Sequence, residues 1–456
     1  MGEVVSGSSS TLTTLTLAEA ARLVREKKVS PVELTEACLR RIEERNPELN
    51  AFITLTAESA LAEAKAAEEQ IQRGEWRGPL HGIPIALKDL VDTAGVPTTA
   101  GSNLFRHRVP SEDAEVVKRL KSAGAVFLGK LNLHEFAYGA SSVMSAFGPV
   151  RNPWVPEYSA GGSSSGSAAA VAAGMCYAAV GTDTGGSLRQ PAAFCGVVGF
   201  KPTYGWVSAQ GVVPLSTSLD HVGPMARTVQ DAALLLQAMA PQGSPNYTAP
   251  CDISQLRIGI PRAVFYDTLH PDVRASAGTA LSVLQTLVRS QQNVDLATNI
   301  DAINTLSNLL TKTEAYAYHR KNVEATPELY QEETLRRIRA GAEVSAETYS
   351  AAVRDLGEMR QSVIHLFDKI DVLVTPTVPV PPFKIAELLD DSGTLRSKEQ
   401  LTLRNTRPFN VLGLPTISVP CGRTSMGLPI GLQISGAPGA DATVLALAAA
   451  YEIATA

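Results

Sequence analysis

The sequence predicts an α/β protein with a single large domain, in which a central mixed β-sheet is covered by helices on both faces. Two observations carry this prediction. Short apolar runs bounded by glycine or proline recur along the 456 residues, and they alternate with segments of helical periodicity. The composition, with 45% hydrophobic and 19% charged residues, excludes a disordered, collagen-like or coiled-coil chain.

The N-terminal part is predicted to be flexible at first and then helical. Residues 1–14 are rich in Ser, Thr and Gly and are expected to be loose. Residues 15–75 are expected to form outer helices. Among them, residues 30–33 make a capping box with proline at the first helical position, and the following helix is predicted to end at Asn46-Pro47.

Strands are predicted where short apolar runs lie between turn formers. They are expected at residues 83–87, 125–128, 177–180, 258–260, 372–374, 416–419 and 431–434. Residues 271–370 are expected to be mostly helical, with one long segment near residues 347–367.

Charge and cysteine content limit the possible partners and the compartment. The formal net charge of −5 predicts no general basic face, and therefore no nucleic-acid partner. The longest nearly unbroken apolar stretch, residues 168–180, has 13 residues, whereas a membrane span needs about 18, so no membrane association is expected. Five cysteines without a C-x-x-C pair, and no secretory signal, predict a cytoplasmic protein.

Two turns rich in glycine and hydroxyl residues carry the strongest chemical signal, at residues 161–167 and 181–187. Both precede predicted helices, whose free N–H groups favour negative charge. A hydroxyl beside several free N–H groups provides the nucleophile and the oxyanion hole that acyl transfer needs. A Ser/Gly linker is the alternative, and the buried-looking apolar segments on either side argue against it.

Three rival motifs compete with this interpretation. Residues 162–166 fit the G-x-S-x-G nucleophile elbow, with Ser164 as nucleophile, but a proline-rich segment precedes them where a strand is required. Residues 124–130 have the spacing of a phosphate loop, but Leu131 stands where Ser or Thr is needed. The His-Glu pair at residues 134–135 lacks a second histidine at helical spacing, so no metal is expected.

A candidate base follows the first predicted strand of the core. Lys88 ends the apolar run, and Asp89 comes next. A lysine at the end of a buried strand loses part of its charge by desolvation, and a neutral lysine can take a proton from a hydroxyl. A surface ion pair between Lys88 and Asp89 is the alternative.

Over about residues 15–456 the chain resembles the amidase-signature enzymes. The matching segments are HGIPIALKDLVDTAGVPTTAGS, SAGAVFLGKLNLHEFAYG, SAFGPVRNPW, GGSSSGSAAAVAAG, VGTDTGGSLRQPAAFCGVVGFKPTYG and FNVLGLPTISVPCG. The Gly/Ser block combined with GTDTGGS at this spacing is highly specific. The resemblance implies a catalytic core at residues 80–230 and variable substrate-side helices and loops at residues 265–385.

The resemblance also implies a Ser–cis-Ser–Lys triad. Ser187 would be the nucleophile, Ser163 the bridging serine after a cis peptide bond, and Lys88 the base. The oxyanion hole would consist of the backbone N–H groups of Thr184, Gly185, Gly186 and Ser187. Supporting roles would fall to Ser164, Asp183 and Arg189, and the substrate pocket would include Tyr138, Gly139 and Ala140.

The activity implied is that of a serine hydrolase that needs no metal or cofactor and cleaves C–N bonds of amides, including anilides and carbamates, through an acyl-enzyme on Ser187. The alternative is the glutaminase subunit of a glutamyl-tRNA(Gln) amidotransferase complex. That subunit typically has Asp where His134 stands and Gly where Ser165 stands. These departures favour a stand-alone enzyme with a small-molecule amide or carbamate substrate, and a homodimer is left open. Aromatic residues of the variable segments (Tyr138, Trp206, Tyr316, Tyr318) favour an apolar, aryl-tolerant pocket.

Overall fold

The computed structural model describes residues 9–296, 299–390 and 392–456. Eleven strands form one sheet. The strands are β1 (Phe52–Leu55), β2 (Pro84–Lys88), β3 (Val126–Leu131), β4 (Ala178–Asp183), β5 (Val198–Lys201), β6 (His221–Ala226), β7 (Arg257–Ile260), β8 (Ser290–Asn293), β9 (Val372–Pro376), β10 (Thr416–Arg423) and β11 (Pro429–Gly436).

Helices flank this sheet. They are α1 (Ser9–Leu12), α2 (Leu17–Arg25), α3 (Pro31–Leu49), α4 (Ala57–Gln72), α5 (Glu115–Ser122), α6 (Ser165–Ala172), α7 (Arg189–Cys195), α8 (Val229–Met239), α9 (Pro271–Leu287), α10 (Ile300–Ala325), α11 (Glu332–Arg339), α12 (Ala346–Ser362), α13 (Ile385–Leu389), α14 (Ser392–Thr402), α15 (Arg407–Val411) and α16 (Asp441–Thr455). Short 3₁₀ turns lie at Glu135–Ala137, Pro327–Leu329 and Val363–Asp368.

The sheet is mixed, which confirms the predicted fold class. Its order is β1-β3-β2-β4-β6-β5-β10-β11-β9-β7-β8. Strand β2 runs parallel to β3 and β4, and β7 runs parallel to β8 and β9, while the other neighbours are antiparallel. Each predicted strand corresponds to an observed one, because each apolar run fills a fully or mostly buried position in the sheet.

Four strands were not predicted, namely β1, β5, β6 and β8. Strand β8 has the sequence SQQN and lies at the sheet edge, so no apolar pattern marks it. Strand β6 contains Pro224, which argues against a central strand because proline cannot donate to a neighbour. Its pairing with β5 is confined to Met225 and Ala226, so Pro224 lies just beyond that ladder.

The capping box at the start of α3 is present, with Ser30 Oγ accepting from Val32 N at 2.9 Å and Glu33 Oε2 accepting from Ser30 N at 2.7 Å. The predicted end at Asn46-Pro47 is wrong, because α3 continues to Leu49. Pro47 lies in the last turn, where a missing N–H removes one late hydrogen bond. Asn50, in the left-handed region at φ 55°, closes the helix instead.

The predicted flexible segment, residues 1–14, lies partly outside the described residues. Residues 1–8 are not among them, and Ser9–Leu12 form the short helix α1, which the sequence pattern does not predict. Within the described ranges, no helix combines the length and the apolarity that a membrane crossing requires.

The parallel pairing of β2 with β4 determines where the candidate site lies. Ile85 pairs with Ala178 and Leu87 with Val180, so the carboxyl ends of both strands meet at one edge of the sheet. Lys88 ends β2 and Asp183 ends β4. The glycine-rich turn after Asp183 is therefore held beside the lysine.

The phosphate-loop interpretation of residues 124–130 is wrong, because Gly129 and Lys130 lie inside strand β3. Gly129 has φ +146°, and a Cβ placed there would lie 2.1 Å from the carbonyl oxygen of Thr54 in β1. The glycine thus allows β1 and β3 to approach closely.

We expect Gly129→Ala to lower the free energy of unfolding by about 2–4 kcal/mol, since the backbone of β1 would have to move. The matched control is Gly278→Ala in α9, where a Cβ meets nothing within 4 Å and a gain of about 0.5–1 kcal/mol is expected from helix propensity. Urea denaturation of both variants measures the difference. Equal stabilities would contradict the close approach.

Candidate active site

Lys88 lies at the centre of the candidate site and is fully buried. Its Nζ is 2.7 Å from Ser163 Oγ and 2.8 Å from Thr182 Oγ1. The surface ion pair with Asp89 is therefore wrong. The Asp89 carboxylate accepts from the backbone N–H of Thr99 at 3.0 Å and lies 3.8 Å from Lys130 Nζ.

Burial lowers the pKa of Lys88 from 10.5 to about 7. The negative charges of Asp183 and Asp220 act in the opposite direction and keep that pKa from falling further. A lysine amine with this pKa is partly neutral at physiological pH, so its nitrogen can accept a proton from a hydroxyl.

Ser163 follows a cis peptide bond from Gly162, as the resemblance implies. Gly162 N–H donates to Gln190 Oε1 at 2.8 Å, and the carbonyl oxygen of Ser163 accepts from His134 N at 3.2 Å. These contacts hold both sides of the peptide group, so the hydroxyl of Ser163 is fixed against Lys88.

The turn after β4 carries Ser187 and is organised by the carboxylate of Asp183. Oδ1 accepts from Gly186 N–H at 2.7 Å, and Oδ2 accepts from Leu188 N–H at 3.1 Å. Gly186 has φ +137°, and a Cβ there would lie 2.1 Å from Thr406 Oγ1. A residue with a side chain would therefore not fit in this turn.

One of the four N–H groups expected in the oxyanion hole, that of Gly186, is occupied by another partner. The N–H of Gly186 is already engaged by Asp183, so it orients the turn. The N–H groups of Thr184, Gly185 and Ser187 have no hydrogen-bond partner within the described ranges. They remain the three donors that an incoming negative oxygen could use.

Asp183 forms a buried ion pair with Arg189, the first residue of α7, with Arg189 Nε 2.9 Å from Oδ2 and Nη2 3.0 Å from Oδ1. Arg189 also donates to Asn410 Oδ1 and Gln433 Oε1, both at 2.7 Å. Burial alone would raise the pKa of Asp183, but the charge and hydrogen bonds of Arg189, with a hydrogen bond from Asn410, hold it well below its usual range. Asp183 therefore stays ionised.

Ser164 does not act as a nucleophile elbow in this structure. Its hydroxyl donates to the carbonyl oxygen of Thr182 at 3.0 Å and accepts from Thr182 N–H at 3.2 Å. No strand directly precedes it, as the elbow would require. Ser164 instead ties the start of α6 to the end of β4.

A small cavity opens onto Ser187. Of the three residues assigned to a substrate pocket from the sequence, Tyr138 and Gly139 line this cavity, whereas Ala140 lines a separate small cavity. The full lining is Ala137, Tyr138, Gly139, Thr184, Gly185, Ser187, Leu215, Ser307, Asn308, Thr311, Arg396, Leu403 and Arg407.

The expected aromatic lining is mostly absent from this cavity. Among the four aromatic residues named above, Tyr138 alone contributes. Trp206 bonds to the hydroxyl of Tyr247, and Tyr318 is 42% exposed at the surface. Two arginines, Arg396 and Arg407, were missed, because nothing in the sequence indicates that helices α14 and α15 reach the active-site turn.

Sequence reasoning also missed Thr182 and Asp220. Thr182 lies one residue before Asp183 in the already noted GTDTGGS turn, so alternation along β4 could have indicated it. Asp220 accepts from Thr184 Oγ1 at 2.6 Å and from the N–H groups of Leu215 and Ser216, each at 3.0 Å. Leu215 and Ser216 lie five and four residues before it, but Thr184, which ties it to the site, becomes a neighbour only in the folded protein.

Removing one partner of the Asp183–Arg189 pair should leave an uncompensated buried charge. We expect Arg189→Met to lower the free energy of unfolding by about 3–5 kcal/mol, and the double variant Asp183→Asn/Arg189→Met to lose less. The control is Arg22→Met in the exposed pair with Glu26, which should cost less than about 1 kcal/mol. Denaturant titration measures all three, and a small loss for Arg189→Met would contradict the assigned role.

Comparison with known proteins places this geometry in a family. The family model described as amidase matches residues 33–445. A glutamyl-tRNA(Gln) amidotransferase subunit from Chloroflexus aurantiacus is 41% identical, with 96% of this chain and 96% of that protein covered.

Solved structures give the same result. A crystal structure of an amidase superposes with a TM-score of 0.86 at 35% identity, covering 96% of this chain and 99% of that chain. The structure of the corresponding glutamyl-tRNA(Gln) amidotransferase subunit from Thermotoga maritima has a TM-score of 0.78 at 33% identity, covering 96% and 94%.

The names of these relatives contradict two expectations. The expectation of a stand-alone hydrolase of small amides or carbamates is wrong, and so is the expectation of no nucleic-acid partner. Both are contradicted by the amidotransferase subunits that match nearly the whole chain. The two departures that favoured the stand-alone enzyme do not touch the cavity. His134 and Ser165 are fully buried, and neither lines the cavity.

The family match and these relatives show that the chain belongs to the amidase family, as an amidase-signature enzyme acting on carbon–nitrogen bonds.

Proposed function

We propose that the chain is the glutaminase subunit of a glutamyl-tRNA(Gln) amidotransferase. In this role it releases ammonia from the side-chain amide of glutamine, and partner subunits use that ammonia to amidate glutamate carried by tRNA. The observation that carries the proposal is the buried contact between Lys88 and Ser163, next in the chain to Ser164, whose N–H donates to the carbonyl oxygen of Ser187 at 3.3 Å. It occurs in a chain whose relatives over 96% of its length are named as subunits of this amidotransferase.

Acylation of Ser187 is the first half of the reaction. Neutral Lys88 takes the hydroxyl proton of Ser163 while Ser163 takes that of Ser187, and the oxygen of Ser187 forms a bond to the amide carbon. The carbonyl oxygen becomes negative and accepts from the free N–H groups of Thr184, Gly185 and Ser187.

The return of the proton completes the cleavage. The ammonium of Lys88 gives its proton back through Ser163 to the amide nitrogen, the C–N bond breaks, and ammonia leaves. A glutamyl ester on Ser187 remains. Water then attacks this ester with the same relay acting as base, which releases glutamate and restores the hydroxyl of Ser187.

The proposed complex fits the charge of the chain. With a net charge of −5, the chain itself offers no general basic face to tRNA. Contacts with the phosphate backbone therefore fall mainly to the partner subunits, and this chain supplies the ammonia.

The pKa of Lys88 predicts the pH dependence. Lysine accepts a proton when it is neutral, so kcat/KM for glutamine should rise with pH, with a midpoint at about pH 7. Burial lowers the pKa of His134 to about 4 and that of His221 well below its usual value, so neither titrates in this range. A pH–rate profile from pH 5 to 9 measures the midpoint.

Asp220→Asn identifies the ionising group. Removing this negative charge should move the midpoint to lower pH, because Asp220 raises the pKa of Lys88. The pKa of Asp220 itself is raised to about 6 by burial. If the ionisation belonged to Asp220, the variant would lose it, and that result would contradict the assignment to Lys88.

Comparing glutamine with free ammonia as the nitrogen donor separates the role of Ser187 from the role of the partner subunits. With partner subunits and glutamyl-tRNA present, Ser187→Ala should abolish transfer from glutamine but keep transfer from added ammonium chloride, since free ammonia bypasses this site. Ser164→Ala is the matched control and should retain glutamine-dependent transfer. Measurement of glutaminyl-tRNA formation decides, and the absence of any transfer by the unaltered chain would overturn the proposal.

A further inference from the structure

The cavity beside Ser187 has a charge that the hydrolytic chemistry does not require. Arg407, at the start of α15, is 6% exposed and lines the cavity. Its Nη1 donates to Asn304 Oδ1 at 3.0 Å. For the part of the chain described, Nε and Nη2 have no hydrogen-bond partner, and no carboxylate forms an ion pair with this guanidinium.

A second arginine shares the cavity. Arg396, on α14, is 28% exposed and lies 3.9 Å from Glu399, beyond hydrogen-bond length. Glu399 is already 2.8 Å from Arg337 Nη2 and accepts from Ser141 Oγ at 2.7 Å. Glu399 is therefore held mainly by Arg337 and Ser141. Within the described residues, Arg396 forms only a long ion pair with it and no hydrogen bond, so the N–H donors of Arg396 are available to a ligand.

Two like charges around one cavity favour an anion between them. Burial and the charge of Arg396 together lower the pKa of Arg407 to about 10, so Arg407 is still cationic at neutral pH. Burial also lowers the pKa of Arg396, and a guanidinium keeps its charge in proteins. An arginine binds a carboxylate through paired N–H donors, which makes it the side chain best suited to hold this group in a dry site.

The distance to the chemistry fits a short substrate. A Cβ placed on Gly185, in the active-site turn, would lie 4.0 Å from Arg407 Nε. The guanidinium is thus within one side chain's reach of the expected oxyanion donors. An amide and a carboxylate joined by three carbons, as in glutamine, can contact both.

Glutamine also carries an ammonium group, and the cavity provides no acid for it. Among the described lining residues none is Asp or Glu. The nearby Asp220 is engaged by Thr184, Leu215 and Ser216. An ammonium group would therefore gain no ion pair in the cavity.

We infer that Arg407 and Arg396 form a carboxylate subsite that selects short primary amides bearing a terminal carboxylate, with no requirement for an α-amino group. This inference rests on the proposed function and narrows it. Glutamine is one member of the class, and glutaramate, which lacks the amine, is another. Their neutral counterpart is pentanamide, in which a methyl group replaces the carboxylate.

Calorimetric titration of the full chain carrying Ser187→Ala tests the inference without turnover. We expect glutaramate to bind about 10–100-fold more tightly than pentanamide, the range that hydrogen bonds to a charged group provide. We also expect glutamine to bind within about threefold of glutaramate, because no acid meets its amine. Equal binding of glutaramate and pentanamide, or no binding of either, overturns the subsite. Glutamine binding more than tenfold tighter than glutaramate overturns the second part.

The arginine variants locate the effect. Adding Arg407→Gln should lower the affinity for glutaramate about 10–100-fold. Arg404→Gln, three residues earlier and outside the cavity lining, should not change it. Equal affinities in the two variants would contradict the assignment. A chain with this selectivity but without transfer to tRNA would refute the proposed function alone, and transfer without this selectivity would refute the subsite alone.

Discussion

The carboxylate of Asp183 is the constraint on which the rest of the site depends. It lies at the end of a central strand, accepts hydrogen bonds from the N–H groups of Gly186 and Leu188, and forms an ion pair with Arg189. A buried charge with this many donors is stable, whereas the same charge with one partner missing would be costly. The conformation of the turn with Ser187, and hence the free N–H groups of Thr184 and Gly185, follows from this one group.

The negative charge of Asp183, at the end of β4, also acts on Lys88, at the end of the neighbouring strand β2. Burial drives the lysine towards its neutral form, and Asp183 with Asp220 limits how far this goes. A pKa of about 7 is the balance of the two effects. At this pKa the amine is neutral often enough to accept a proton, and its ammonium form is acidic enough to give the proton back.

Local patterns predicted the parts of this protein that local chemistry determines. The strand ending at Lys88, the glycine turn at 181–187 and the capping box of α3 each carry their own signal in a few neighbouring residues. The residues that were not predicted are brought to the site only by the folding of the chain. Asp220 and Arg407 come from distant segments, and their roles depend on which helix packs on which strand. Strand β6 was missed because a proline argues against a central strand. Here Pro224 lies opposite Val180 of β4 and just outside the pairing of β6 with β5.

The cavity draws its residues from two separate stretches of the chain. The groups proposed to break the bond lie between Lys88 and Arg189, while the arginines that meet the far end of a ligand lie on α14 and α15, more than two hundred residues later. In the part of the chain that the structure describes, Arg396 and Arg407 make no hydrogen bond to Asp183, Lys88 or the glycine turn, whereas Asn410, also on α15, bonds directly to Asp183. Over evolution, such a chain can change the compound it accepts by substitutions at single positions of these two helices, provided that Asn410 keeps its bond to Asp183.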